Sequence, residues 1–278
     1  MAEPGGGNAT PSLNVEVDVI RGRGIQTVFG RRQNAANGVL ADVWSGTTNT
    51  RPLPLAPKPM FVVSTGADQF GVSGAQFAIV TFIDEFGDWR NSDLLPMNAA
   101  TPVPVTYKPD DGILGDNSRP PQGPTPPTGS SIVANVFRVQ DAFAVVSLGA
   151  TEAAPRVNNL GIISVIDGGA VQFEAIPIGA GRSRSAAFHV PRNKTARLTS
   201  APIGTAKGRG EAFISTTFGP GTAWQILPIA SIESATVLFE SDPAATPISP
   251  QSDLAGLILP ANVIDVTFLM QFRLVPIR

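Results

Sequence analysis

The chain has 278 residues, enough for one large or two ordinary domains. Hydrophobic residues make up 42% and charged residues only 15%, so a sizeable core is expected and few ionisable groups remain for chemistry. With 28 Gly, 26 Pro, no Cys and one His, the composition excludes a helical bundle, disulfides, thiolate metal sites and a multi-histidine metal centre. A net charge of −2 gives no reason to expect a nucleic-acid partner.

Residues 1–12 are rich in Gly, Pro and Ala and contain neither a basic n-region nor an apolar h-region, so they do not read as a secretory signal. No stretch approaches the roughly 18 consecutive apolar residues of a membrane span. The sequence therefore predicts folding in the cytoplasm of the producing cell, with no membrane partner. Residues 13–57 alternate short β-like pieces with Gly and Pro and run into Arg51-Pro52-Leu53-Pro54-Leu55-Ala56-Pro57-Lys58-Pro59. Prolines at every second or third position fix φ and favour an extended strap. Residues 1–59 are accordingly expected to form an extended Pro/Gly-rich amino-terminal arm. Residues 60–278 are expected to form one β-sandwich, jelly-roll-like domain.

Phe77-Ala78-Ile79-Val80-Thr81-Phe82-Ile83 is a continuous strand signal, closed by the turn-like Asp84-Glu85-Phe86-Gly87-Asp88. The Pro-rich piece 108–131 cannot build a ladder. Read as a linker it would isolate a small amino-terminal domain. Read as an inserted loop, the preferred alternative, it lets strand 77–83 share a sheet with strands after residue 132. Further strands are expected at 136–148, 161–166, 171–178, 185–190, 194–199, 211–217 and 233–240, with one helical turn within 223–232 limited by Pro228. At the carboxyl end Val266, Phe268, Met270, Phe272 and Leu274 fall on one face, the clearest period-two pattern in the chain. Short, evenly spaced strands without a fixed repeat predict an all-β sandwich or jelly roll.

No catalytic, cofactor-binding or metal site emerges. The Gly-rich stretches 179–185 and 204–210 lack the following helix and the spacing of a phosphate loop and read as hairpin turns. Alternation puts Phe188 on one face and His189 on the other, so His189 reads as an exposed or interface residue. The carboxylates Asp84, Glu85 and Asp88, and separately Asp110 and Asp111, could form a glycosidase pair or oxygen ligands for calcium, but both clusters lie at turn signals, where backbone needs alone favour Asp. A charge asymmetry does stand out. Arg182, Arg184, Arg192, Lys194, Arg197, Lys207 and Arg209 occur without acidic neighbours, followed by Glu211, Glu233, Glu240, Asp242, Asp253 and Asp265 without basic ones. Such segregation either steers neighbouring subunits together or pairs within one domain.

Several strings in order resemble β-rich virion structural proteins of tailed bacteriophages, of the marine and cyanobacterial phage type. They are Val28-Phe29-Gly30-Arg31, Asp42-Val43-Trp44-Ser45-Gly46, Phe61-Val62-Val63-Ser64-Thr65 and Phe137-Arg138-Val139. Asn158-Asn159-Leu160-Gly161-Ile162-Ile163, Ile178-Gly179-Ala180-Gly181 and Phe188-His189-Val190-Pro191-Arg192-Asn193-Lys194 continue the set. The resemblance implies a virion component assembled in the host cytoplasm and not an enzyme, with the major capsid protein or tail proteins as partners. A homotrimer is expected by analogy with other virion sandwiches. The leading expectation is a capsid decoration or cement protein gripping its neighbours through Arg21, Arg23, Arg31, Arg32, Trp44, Arg182, Arg184, Arg192 and Lys194. The rivals are a tail or neck component, and a carbohydrate-binding receptor module whose aromatic platform would come from Trp44, Trp89, Trp224 and Tyr107.

Overall fold

The computed structural model describes residues 25–66, 68–109, 130–145, 158–217, 225–233, 236–237 and 247–277, and it is built from antiparallel strands with no α-helix among them. In chain order these are β1 (Ile25–Ala35), β2 (Ala41–Asp42), β3 (Lys58–Pro59), β4 (Phe61–Ser64), β5 (Phe77–Asp84), β6 (Trp89–Asn91) and β7 (Leu95–Pro96). There follow β8 (Val103–Pro104), β9 (Thr106–Tyr107), β10 (Ile132–Val133), β11 (Asn135–Val145), β12 (Ile163–Ile166), β13 (Gln172–Ile176) and β14 (Ala187–His189). The chain ends with β15 (Lys194–Ser200), β16 (Ile203–Lys207), β17 (Arg209–Thr216), β18 (Gln225–Glu233), β19 (Thr236–Val237), β20 (Asp253–Pro260) and β21 (Ile264–Pro276).

The alternation at the carboxyl end organises the first sheet. β21 carries β1 on one side and β15 and β16 on the other, with β19 beyond β16. Its inward residues Ile264, Val266, Phe268, Met270 and Phe272 are fully buried. They pack on a second sheet of order β14-β20-β17-β18, with β2 also on β20, through Phe188, Leu254, Ile214 and Ile258. Gly256 permits that close approach, since a Cβ there would sit 3.0 Å from the Phe268 ring and 3.0 Å from the Ala186 methyl. A third sheet, β3-β11-β5-β6 with β7 on β5, and a fourth, β13-β12-β4-β8, enclose a second core. Met60, Val62, Val80, Phe82, Val136, Ile163 and Ile176 fill it. From the third sheet Ile83 and Trp89 reach the first core instead. β5 is thus covered on both faces, which is why its sequence is an unbroken apolar run rather than an alternating one.

β5 and β11 pair directly, from Phe77↔Val145 to Asp84↔Val136, so strand 77–83 shares a sheet with strands beyond residue 132. Residues 110–129 lie outside the described residues. The amino-terminal segment departs from the expected arm. From residue 25 onward it belongs to the sandwich, because β1 runs along β21 from Ile25↔Arg273 to Ala35↔Ile264 and β2 and β3 join other sheets. Pro52, Pro54 and Pro57 sit where no ladder is needed, on the strap 51–57 between β2 and β3, while Pro59 pairs with Asn135 in β3. Residues 1–24 lie outside the described residues.

Two other expectations are corrected. Residues 225–233 form strand β18 rather than a helical turn. Pro228 is accommodated because β18 is an edge strand and the register shifts between Ala212 and Phe213 opposite it. The Gly-rich stretches are crossovers between sheets, not hairpin turns. Gly208, at φ +92°, passes the chain from β16 in the first sheet to β17 in the second, and 177–186 carries it from the fourth sheet to the second.

Candidate functional site

Where the second sheet meets β11 and the strap, the structure forms a partly open pocket of about 440 Å3. Its apolar lining includes Leu40, Leu53, Val139, Ala187, Ala255 and Leu257. Beside it lies a buried polar network supplied by three elements. The Asp253 carboxylate, at the start of β20, accepts two hydrogen bonds from the Arg138 guanidinium, each 2.9 Å, and lies 2.7 Å from His189 Nδ1. Antiparallel register sets this up: His189 stands opposite Asp253 across β14 and β20, so both side chains emerge on the same face. The Gln140 side chain clasps the main chain of His189, donating to its carbonyl at 2.5 Å and accepting from its N–H at 2.9 Å. Arg138 also donates to the Pro54 carbonyl at 2.6 Å and so holds the strap. Burial raises the Asp253 carboxyl, but the hydrogen bonds from His189 and Arg138 outweigh it and hold the group down at about 2.

A second anchor lies under the same strap. The Arg51 guanidinium is 7% exposed and donates to the carbonyls of Phe173 (3.0 Å) and Val139 (2.6 Å) and to Glu174 (3.0 Å). Glu174 is fully buried and also accepts from Ser185 Oγ at 2.6 Å. Burial pushes the Glu174 carboxyl up, with Arg51 and Ser185 opposing. Burial likewise raises Asp42, which caps the strap by accepting the Arg51 N–H at 2.5 Å. Together these groups fasten the strap, the third and fourth sheets and the second sheet to one another.

Chemically the network is a clamp. His189 is 2% exposed, its ring stands edge-on to Phe137 at 5.5 Å, and its Nε2 is buried without a protein partner. Ser215, which also borders the pocket, directs its hydroxyl to the Ala255 carbonyl at 3.3 Å. Among the described residues no three His, Asp or Glu side chains gather as a metal site. Asp84 and Asp88 face cations, with Arg90 Nε 3.0 Å from Asp84 and Arg192 Nε 2.7 Å from Asp88. The expectation that His189 is exposed or at an interface is thus corrected. Alternation identified its face correctly, but the strap and β11 cover that face.

The nine residues expected at an interface fall into distinct groups. Arg21 and Arg23 lie outside the described residues. Trp44 is 1% exposed, donates to the Thr48 carbonyl at 2.9 Å and folds over Gly46, where a Cβ would meet the indole at 2.0 Å. Lys194 is 4% exposed. Neither presents a surface, because each side chain is taken into the interior. Arg32 bonds the carbonyls of Asp42 and Thr48 and the Asn49 side chain. Arg182 bonds Asp141 through Nε at 2.7 Å, and Arg192 pairs with Asp88 while remaining half-exposed. Arg31 and Arg184 stay as like-charged neighbours at the edge of the first sheet, where burial and then Arg31 lower the Arg184 pKa. The aromatic platform fares similarly: Trp44, Trp89 and Tyr107 are all buried, and Trp224 lies outside the described residues.

Much of the charge asymmetry is drawn into the fold. Asp265 accepts the Asn34 N–H at 2.7 Å, Asp253 is held by Arg138 and His189, Arg182 is held by Asp141 and Arg192 by Asp88. The partners of these pairs are far apart in the chain; Arg138 stood in one of the resembling strings without a role, and nothing in the sequence singled out Gln140 or Glu174. Arg51 alone gave a signal, as a cation within a Pro- and Leu-rich strap.

No family model and no curated protein matches the chain. Among solved structures, an infectious bursal disease virus Gt strain structure aligns at 9% identity and a TM-score of 0.14, covering 91% of this chain and 81% of that one. The T=1 particles derived from infectious bursal virus align at 9% identity and 0.15, covering 91% and 74%. At such scores the likeness carries no weight for fold or function.

Proposed function

We propose that this protein is a virion structural component that works by binding other protein subunits, and specifically a capsid decoration or cement protein of a tailed phage. The observation that carries the reading is the contrast between its charged and apolar side chains. The clamp residues are engaged with one another inside the fold, while Leu55, Phe70, Val72, Phe86 and Ile178 stand more than half exposed. Large apolar groups held on a rigid body suit protein contact. The resemblance of the ordered strings to phage virion proteins supports the same reading. The first described strand, β1, is an edge strand, a position open to pairing with a neighbour. The working form is a homotrimer bound to capsid subunits. Co-sedimentation with isolated empty heads and, separately, with isolated tails tests this. Binding to heads, lost on deletion of residues 1–24, is the expected result. Binding to tails alone replaces it with the tail or neck reading, and binding to neither overturns the virion role.

A further inference from the structure

β1 is the margin of the first sheet, and its register fixes which main-chain groups face outward. The Arg31 N–H leaves the sheet to reach the Arg184 carbonyl at 3.1 Å, so Arg31 and Thr267 form a non-hydrogen-bonded pair. The register is unbroken from Ile25 to Arg32, so the same holds at Ile25, Thr27 and Phe29. On the facing strand the Leu269 N–H and the Gln271 carbonyl agree, turning away from β1 to the Pro202 carbonyl and to Thr199 Oγ1. The N–H and C=O groups of Ile25, Thr27 and Phe29 therefore point past the sheet, with no strand beyond them among the described residues. Other margins are protected. Along β13 the Phe173 and Ala175 carbonyls accept from Arg51 Nε and Ser45 Oγ, and β3 and β8 carry Pro59 and Pro104. Charge marks the β1 margin as well: Arg31 and Arg184 meet there, and neither forms an ion pair among the described residues.

The sequence supplies a matching strand four residues away. Leu13-Asn14-Val15-Glu16-Val17-Asp18-Val19 alternates apolar and polar without a break, the period of a half-buried strand. After Ile20, Arg21-Gly22-Arg23-Gly24 leads directly into Ile25, and two strand signals separated by a short Gly-containing loop are a hairpin signature. Loop length sets the register. Four loop residues place Ile20 opposite Ile25, Asp18 opposite Thr27 and Glu16 opposite Phe29, the β1 positions whose N–H and C=O face outward. The same register sets Val17 opposite Val28, the core-facing residue at 6% exposure, and Glu16 diagonal to Arg31. A loop one residue longer or shorter would exchange the valines and the acids between the two faces and lose both matches. Beyond Phe29 the Arg184 carbonyl already takes the Arg31 N–H, and the ladder ends there.

We propose that the margin of β1 is the docking edge for residues 13–20 of the same chain, which add an antiparallel strand to the first sheet. Outward main-chain groups, apolar alternation and opposite charge all select this occupant, and the short connection keeps its local concentration high. A subunit meeting this side of the protein then encounters residues 13–20 rather than β1. The proposal does not rest on the virion reading and is tested on purified protein alone, so the two fail separately. Hydrogen exchange on the full chain should show the Thr27 and Phe29 amides protected. Asp18→Pro, which removes the N–H facing the Thr27 carbonyl, should quicken both by about tenfold or more while the β21 amides stay slow. Asn8→Pro, outside the segment, should change neither. Because the chain has no Cys, an introduced pair reports the register directly. Val19→Cys with Gln26→Cys occupies a non-hydrogen-bonded pair, and oxidation should link the two within one chain. Asp18→Cys with Gln26→Cys faces opposite sides of the sheet and should stay reduced. Unprotected Thr27 and Phe29 amides, exchange indifferent to Asp18→Pro, or equal linking of the two cysteine pairs overturns the proposal. Links between chains overturn it too, since a neighbouring copy would then supply the strand.

Discussion

The seam beneath the strap and the tip of the fourth sheet both place polar side chains where water cannot reach, but to different ends. At the seam, opposite charges from distant elements neutralise each other: Arg51 with Glu174, and Arg138 and His189 with Asp253. At the tip, Asp68 and Asn159 serve mainly the main chain, satisfying N–H and C=O groups that irregular loops leave without a ladder. The seam joins layers; the tip shapes a surface. A protein with few charged residues can therefore be rigid in both places.

The largest effect should come from breaking the seam. Arg51→Ala strands the buried Glu174 carboxylate, and urea unfolding should show a loss of about 3–5 kcal/mol. Adding Glu174→Gln to that variant should restore part of the loss, and no recovery would mean that Arg51 acts through its carbonyl contacts instead. At the tip, Asp68→Ala leaves three backbone donors without an acceptor and should cost about 2–4 kcal/mol. Hydrogen exchange should then quicken at the amides of Ala75, Leu160 and Gly161 while the β21 amides stay protected.

Acid distinguishes the two regions further. Asp253 is held at about 2 against an ordinary 3.8, so its contribution is present above pH ~4 and disappears as pH falls through about 2. It amounts to roughly 2 kcal/mol. Wild type should lose that much relative to Asp253→Asn between pH ~4 and ~2, read from urea midpoints across the titration. Parallel curves for the two proteins would show that the clamp is not what depresses the group. The smallest effect belongs to Leu55→Asp, on a fully exposed side chain, where stability should change by no more than about 0.5 kcal/mol.

The strands themselves were largely legible. Alternation over 266–274 marks β21, and the unbroken run 77–83 marks β5, because period-two patterning reports directly on which faces meet a core. The site was not legible. Alternation told Phe188 from His189 but could not tell that a strap covers the second face. Trp44 looked like a surface anchor because nothing local reveals that Gly46 makes room for its ring. The partners Arg138 and Asp253 are 115 residues apart, and only the folded register brings them together. Residues 25–59 misled for a related reason: their prolines describe a segment without a ladder of its own, which a strap lying on its own body satisfies as well as an arm reaching outward.

The pairing of β1 with β21 joins the first and last described strands along Ile25↔Arg273 to Ala35↔Ile264. A ribosome must release β21 before that sheet can close, so folding should be slow, dominated by contacts between remote parts of the chain. The same closeness of residues 25 and 273 would let a short linker join those two positions in a permuted version of residues 25–277, with new ends opened in a surface turn.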